Sequence, residues 1–432
     1  MAQAPTCVWT WPAGATEPVE AASLQVEGGR GQFAYTEAYR ELAERALALD
    51  PVHLRISRRD KGQAVLLNGG FPGVVVDAMP SGYGADRLNA IAGRDLSAFE
   101  LFAAGPPDGA GAIEVCDDIE AKLARQPETV DRLIEELRKL DDDEPHSRAL
   151  RRLGNHGGTS AGGERPKVTL VADGRQWLAK MQARGDVPHL PAREFVAMNL
   201  ARELQIRVPE TRLIQEGGRS IYLIERFDRA GDPHKPQRHL FASAHSVLGL
   251  DGPQTKDDPR RSYLVLADEM RRWQQGSPHC EEDIRELWRR MVFNVLVGNS
   301  DDHPRNHALI NDGRHWRLSP AFDITPLAAI PGTQLMALDE AGGWKYSAQG
   351  VLGASSHFGL APAEAVRWMT AAAAHVDALW RERLASLGIP AAAIDAMAPT
   401  FLKSAEIAGQ AMQLENLASE LGQQKRRSYK RR

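Results

Sequence analysis

The sequence predicts an α+β fold divided into more than one lobe, and three observations predict it. A chain of 432 residues exceeds what one ordinary hydrophobic core organises, so two or three lobes are expected. Residues Gly154 to Asp228 are dense in strand patterns, with glycines at the turns. Beyond Asp232-Pro233 the pattern turns helical and stays so to the end, apart from one hairpin. An apolar share of 43% and a charged share of 25% fit a globular chain rather than a disordered one.

Four segments follow from this pattern. Residues 1–115 mix short apolar runs, such as Gln63 to Leu67 and Gly73 to Val76, with many glycines, which predicts a small α+β lobe. Residues 116–152 form a connector. Ile119, Leu123, Leu133, Ile134 and Leu137 among charges predict helix, broken near Pro127 and ended by Asp141 to Pro145. Residues 153–228 are the strand-rich lobe, and 229–432 the helical one. The basic tail Lys425 to Arg432 reads as a solvated end, with a nucleic-acid contact as the alternative. No internal repeat is present.

Bulk properties exclude several classes. A formal net charge of −4 argues against a protein that coats nucleic acid. Cys7, Cys116 and Cys280 are far apart and in no metal-binding spacing, which suggests a reducing compartment without disulfides. The start Met-Ala-Gln-Ala-Pro has no basic lead into an apolar run, and no stretch approaches the ~20 apolar residues of a membrane helix. A cytoplasmic protein with no membrane partner is expected.

Four local features suggest a nucleotide. Residues 157–167 are glycine-rich and end in Pro166-Lys167, followed by the apolar strand Val168 to Ala172. Glycines let backbone N–H groups approach phosphate oxygens. No Gly-Lys-Ser/Thr follows, which excludes a Walker-type loop, and a glycine-rich surface turn explains the stretch as well. Asp173-Gly174 is a strong two-residue hairpin turn, and with it at the centre Lys167 faces Lys180. Either both ammonium groups snorkel to water or an anion lies between them. Glu194, in the first turn of a helix from Pro191 to Leu204, could pair with Lys180 or simply favour the helix dipole. Glu225 to Phe227, where strands give way to helices, is where an adenine would meet main-chain groups.

The most informative residues follow a helix from Glu281 to about Val297, whose stripe of Ile284, Leu287, Trp288, Met291, Val292 and Val295 is core. After Gly298 come Asp301, Asp302, His303, Arg305 and Asn306, then a hairpin turning at Asn311-Asp312-Gly313, then Asp323. Phosphoryl transfer needs one carboxylate to accept the proton of the attacking hydroxyl and oxygen ligands to hold magnesium against the phosphates. An Asp, an Asn five residues on, a hairpin and a second Asp supply these in the order protein kinases use. Asp301 is then the base, with Asn306 and Asp323 the metal ligands. A rival reading makes Asp301, His303 and His307 the metal ligands of a hydrolase.

Gly158-Thr159-Ser160-Ala161-Gly162-Gly163 with Pro166-Lys167, then Glu225-Arg226-Phe227-Asp228-Arg229, then Asp301 to Asn306, then Ser319-Pro320-Ala321-Phe322-Asp323-Ile324, together resemble HipA. That family comprises the serine/threonine kinase toxins of HipBA toxin–antitoxin systems. Phe33-Ala34-Tyr35 and Pro80 to Leu88 are similar to its N-terminal subdomain. The resemblance implies a bilobal protein-kinase-like fold, with residues 1–115 as an extra α+β subdomain, 153–228 as the N-lobe and 229–432 as an all-helical catalytic C-lobe. It implies Gly162, Gly163, Glu164, Arg165, Pro166, Lys167 and Lys180 on the ATP phosphates. It implies Glu225, Arg226 and Phe227 at the adenine, and His303, Arg305, Asn306, Phe322 and Asp323 around ATP and Mg2+. Ser160 matches the family's autophosphorylated loop serine.

The family's targets include aminoacyl-tRNA synthetases, and its usual partner is a small helix-turn-helix antitoxin of the HipB kind, so DNA would be met only through that antitoxin. Asp302 is acidic where glycine is common, a second acid that could repel phosphate, and Arg305 stands where lysine is common. Two other classes stay open: an ATP-binding regulatory pseudokinase in a repressor complex, and a small-molecule phosphotransferase of the aminoglycoside-kinase kind.

Overall fold

The computed structural model describes residues 5–42, 45–57, 62–140, 147–153, 160, 162–183, 185–216, 218–252, 257–327 and 332–429. The acidic run Asp141 to Pro145, the glycine-rich residues 154–159 and 161, and the tail from Lys430 lie outside the described residues. The chain divides into two units: Met1–Asp186, Glu210–Pro253 and Ala308–Trp316 form one, and Val187–Pro209, Gln254–His307 and Arg317–Arg432 the other.

The first unit holds two five-stranded sheets. One is antiparallel and runs in the order Gln63–Val65, Arg30–Tyr35, Val19–Glu27, Thr6–Thr10, Ile113–Val115. The other is ordered Glu128–Thr129, Lys167–Ala172, Arg175–Met181, Arg219–Glu225, Thr211–Glu216. Its central hairpin turns at Asp173 and Gly174, with φ of 48° and 71°. That pair of positive φ values is what a two-residue turn needs to match strand twist, and Asp-Gly adopts it readily. Lys167 pairs with Lys180 in consequence, as the turn predicts.

Strand alternation sends Trp177, Ala179 and Met181 onto a core shared with Leu133 and Leu137. Those leucines sit on the helix Val130–Arg138, whose first turn is capped by the Thr129 hydroxyl accepting from Arg132 N. The break near Pro127 is present, and it adds a pairing that periodicity does not show: Glu128–Thr129 runs parallel to Leu170-Val171.

Residues 237–243, expected to be helical, are extended instead. Leu240–Ser243 pairs antiparallel with Ala308–Asn311, from a distant part of the chain. A strand whose partner lies far away in sequence carries little local signal, because its pairing decides its state.

The second unit is helical. Its main helices are Leu190–Glu203, Tyr263–Trp273, Cys280–Leu296, Pro362–Ser386 and Ala411–Tyr429. The stripe on Cys280–Leu296 is buried as read, with Ile284, Leu287, Trp288, Met291, Val292 and Val295 all in the core. Gly298 follows with φ of 65°, a left-handed C-terminal position where a Cβ would strike the carbonyl of Thr400. The long helix Pro362–Ser386 seals the core through Val376 and Trp380, whose ring stacks on Phe401 at 4.3 Å. Among the described residues no helix is long and apolar enough to cross a membrane.

Candidate active site

The first unit carries the glycine-rich residues and both lysines. Lys167 leaves the edge of its strand and is only 7% exposed. Its Nζ donates to the Gly162 carbonyl at 2.6 Å. Gly163 has φ of 113°, and a Cβ there would meet the same ammonium, so this position requires glycine. The turn Ser81–Tyr83 packs against it: Tyr83 N donates to the Gly163 carbonyl at 3.0 Å, and a Cβ on Gly82 would come within 2.6 Å of that oxygen. Glu164 is exposed, and Arg165 reaches the Asp186 carboxylate at 3.0 Å. Pro166 closes the segment by accepting from Met181 N at 3.2 Å. Lys180 sits 5.8 Å over the Tyr222 ring.

Ser160 is 2% exposed, with its N–H donating to Asp108 Oδ1 at 2.6 Å and its hydroxyl to the Pro106 carbonyl at 2.7 Å. In this conformation the hydroxyl is a seated donor. Any modification of it requires the segment to leave Pro106 and Asp108.

At the expected adenine segment, Glu225 pairs with Arg175 at 3.0 Å, and the Phe227 ring lies 6.4 Å from that of Phe241. Arg226 behaves differently from the expectation of an ATP contact. Its guanidinium is buried on Asp228, at 3.0 and 2.7 Å, and on the carbonyls of Asp108 and Gly109, at 2.5 and 2.9 Å. Its N–H is given to the Gln176 carbonyl at 2.9 Å. Arg229 binds the Gly109 and Gly111 carbonyls, both at 2.7 Å. Burial alone would raise the Asp228 carboxyl, but the two guanidiniums overcome it and hold it below the ordinary range. Arg226, Asp228 and Arg229 therefore clamp the segment 108–111.

The second unit carries the acidic loop. Pro304–Asn306 form a single 3₁₀ turn. The Asp301 carbonyl accepts from His303 N at 3.0 Å and from Asn306 Nδ2 at 3.0 Å. With its amide nitrogen committed, Asn306 presents its oxygen. His303 is half-buried and Arg305 exposed.

Asp301 and Asp302 are disposed differently. Asp301 is half-buried, whereas Asp302 is 1% exposed and faces inward, with Oδ1 on His307 Nε2 at 2.8 Å and Oδ2 accepting from the Tyr263 hydroxyl. Burial, and then Asp302, push the Tyr263 phenol well up, so it stays protonated and donates. Asp302 is thus spent in the core, which removes the expected repulsion of phosphate. His307 is buried on Asp302 through Nε2, whereas Asp301 and His303 are half-buried. Among the described residues no group of three or more His, Cys, Asp or Glu could hold a metal ion.

Asp323 has φ of 58°, a left-handed conformation that a short acidic side chain tolerates. The approach to it is fixed at several points. Leu318 N donates to Asp283 Oδ2 at 2.9 Å, Arg290 to the Ser319 carbonyl at 2.6 Å, and Ala321 N to the Arg207 carbonyl at 2.7 Å. Phe322, beside Asp323, is half-buried. Glu194 is 4% exposed and lies beyond the first turn of its helix, which contains no acid, so dipole chemistry does not account for it. Asn306 and Asp323 offer hard oxygen donors, a set suited to Mg2+, which takes few protein ligands and completes its shell with water and phosphate. Sequence reasoning missed Asp108, Tyr263, Asn294 and Asn299. The one available signal was Asn294, a buried amide inside an apolar helical stripe.

Comparisons with known proteins bear on the family and the fold. Y4dM of Sinorhizobium fredii (strain NBRC 101917 / NGR234), a kinase by name only, is 30% identical over 181 residues, 38% of this chain and 40% of its own. The serine/threonine-protein kinase toxin HipA of Shewanella oneidensis is 24% identical over 279 residues, 58% of this chain and 61% of its own. The chain thus spans less than two thirds of the length of these curated relatives. A solved structure of the Shewanella oneidensis MR-1 HipA, HipB and operator DNA complex aligns over 96% of this chain and 99% of that one. Its TM-score is 0.65 at 16% identity, which shows a shared, kinase-like α+β fold. Residues 159–380, half of the sequence, match the HipA-like C-terminal domain, and the chain belongs to that family.

Proposed function

We propose that this chain is an ATP-dependent serine/threonine protein kinase of the toxin type. The observation that carries the reading is the turn Asp301–Asn306, in which the Asn306 amide is pinned to the Asp301 carbonyl at 3.0 Å. One short turn then carries both the base and a metal ligand. Asp301 orients the attacking hydroxyl and accepts its proton, while Asn306 and Asp323 hold Mg2+. Magnesium, when bound, neutralises charge on the phosphates. Gly162 to Lys167 and Lys180 serve the phosphates, and the main chain near Glu225 and Phe227 serves the adenine. Arg305 and His303 complete the anion's surroundings.

The relatives' names support a protein target, an aminoacyl-tRNA synthetase being the class the family resemblance suggests, and a HipB-like antitoxin that brings DNA only indirectly. A cytoplasmic location suits such a target.

The test is transfer of labelled γ-phosphate in Mg2+ to the protein itself, to synthetases and to aminoglycosides. Label on serine or threonine supports the proposal. Label on aminoglycosides alone would favour the small-molecule reading, and nucleotide binding without any transfer the pseudokinase. In the same reaction, Ser160 is expected to become phosphorylated and to switch the enzyme off. A phosphate adds about −1.5 to −2 charge, and next to Asp108 it could not keep its present seat. Intact mass should show the added phosphate on active protein and none on Asp323→Ala. An active protein that never carries it leaves Ser160 a purely structural residue.

Lys167→Ala is expected to weaken ATP binding. A charge-assisted contact is worth ~1.5–3 kcal/mol, roughly ten- to hundredfold in Kd. Calorimetry with ATP decides, and unchanged affinity would mean that Lys167 only braces Gly162.

A further inference from the structure

Behind the acidic loop, a chain of buried hydrogen bonds runs through the second unit from His307 to the backbone of Asp323. His307 Nε2 meets Asp302 Oδ1 at 2.8 Å, and the Tyr263 hydroxyl donates to Asp302 Oδ2. Asn294 Nδ2 donates to the Tyr263 oxygen at 3.2 Å. Asn299 Nδ2 then donates to Asn294 Oδ1 at 3.1 Å and reaches the Asp323 carbonyl at 3.5 Å. All five side chains are at most 3% exposed.

Donor and acceptor rules give the chain a single polarity. A carboxylate only accepts, so the Tyr263 proton points to Asp302. The Tyr263 oxygen must then accept, which turns the Asn294 amide nitrogen toward it and the Asn294 oxygen toward Asn299. Asn299 is left to present its N–H groups to Asn294 and to Asp323. Each link fixes the next, so the residue beside the base and the backbone of the metal-binding Asp are set by one network. Among the described residues, Asn299 Oδ1 and His307 Nδ1, both buried, have no hydrogen-bond partner.

We propose that Tyr263, Asn294 and Asn299 are positioning residues that lock the loop of Asp301 to the backbone of Asp323, so that base and metal ligand keep one geometry. The proposal rests on the kinase reading above. Asp323 has φ of 58°, and Asn299 reaches the carbonyl of this left-handed residue. Without Asn299, Asp323 can relax, and the metal site loses affinity before the nucleotide does.

The test uses the full-length protein, with Mn2+ as the probe. Free Mn2+ is followed by electron paramagnetic resonance in the presence of a non-hydrolysable ATP analogue, alongside kcat, the KM for ATP and the melting temperature. Asn299→Ala should raise the half-saturating Mn2+ concentration about tenfold and lower kcat about tenfold, while the KM for ATP changes less than threefold. Tyr263→Phe keeps the ring, removes the central link and should lower kcat in the same sense. Variants that melt earlier yet bind Mn2+ and turn over like the wild type would reduce the network to a structural brace and overturn the proposal. If the wild type binds no Mn2+ beside the nucleotide, the kinase reading and this proposal fall together. If it binds and both variants match it, only this proposal falls.

Discussion

Asp301→Asn is expected to lower phosphate transfer by roughly 10²–10⁴-fold while leaving the fold and nucleotide binding intact. The fold should survive because the loop holds Asp301 by its main chain. Its carbonyl accepts from His303 N and from Asn306 Nδ2, and an asparagine backbone offers the same carbonyl. What disappears is the carboxylate proposed to take the hydroxyl proton. Radiolabelled ATP, with circular dichroism and nucleotide calorimetry as controls, checks the separation. Transfer at the wild-type rate would move the base elsewhere, and the buried Asp302 could not be its replacement without breaking its bonds to His307 and Tyr263.

The parts of this site that are legible in the sequence are those set by short-range geometry. Asp173-Gly174 dictates a two-residue turn, and the turn dictates that Lys167 faces Lys180. The stripe on the helix before Gly298 follows a 3.6-residue period and needs no knowledge of its partners. Asp301 and Asn306 are five residues apart on one turn, so their association is local as well.

What the sequence does not disclose depends on partners far along the chain. Asp302 reads as a second acid beside the base until Tyr263, 39 positions away, turns it inward. Arg226 reads as an ATP contact until carbonyls 117 and 118 positions away capture its guanidinium. Leu240–Ser243 reads as the start of a helical region because its strand partner Ala308–Asn311 comes much later. In each case the residue type is compatible with two roles, and only tertiary pairing selects between them.

Asp228→Ala is expected to be the most destabilising single change in the first unit, at roughly 3–5 kcal/mol. The side chain holds Arg226 at 2.7 Å and Arg229 at 2.9 Å, and it also accepts from Gly111 N at 2.7 Å. Removing it leaves two buried guanidiniums with carbonyls and the Thr169 hydroxyl as neutral acceptors and no carboxylate in contact. Uncompensated buried charge costs far more than a lost surface pair returns.

The sign of the pH dependence follows from the same bonds. The folded carboxyl titrates below its unfolded value near 3.8, so its contribution is complete above that value and is lost as pH falls toward the folded one. Urea unfolding at pH 7 and near pH 3 checks both statements: the gap between wild type and variant should shrink in acid. A constant gap would mean that Asp228 acts through packing rather than charge. A second readout follows the clamp outward. Arg226 holds the Asp108 carbonyl, and the Asp108 carboxylate holds Ser160 N at 2.6 Å. Loss of Asp228 should therefore speed hydrogen exchange at the Ser160 amide more than at strand amides such as Ala179. Equal acceleration at both would show that the whole unit loosens and that the clamp gives the Ser160 seat no particular support.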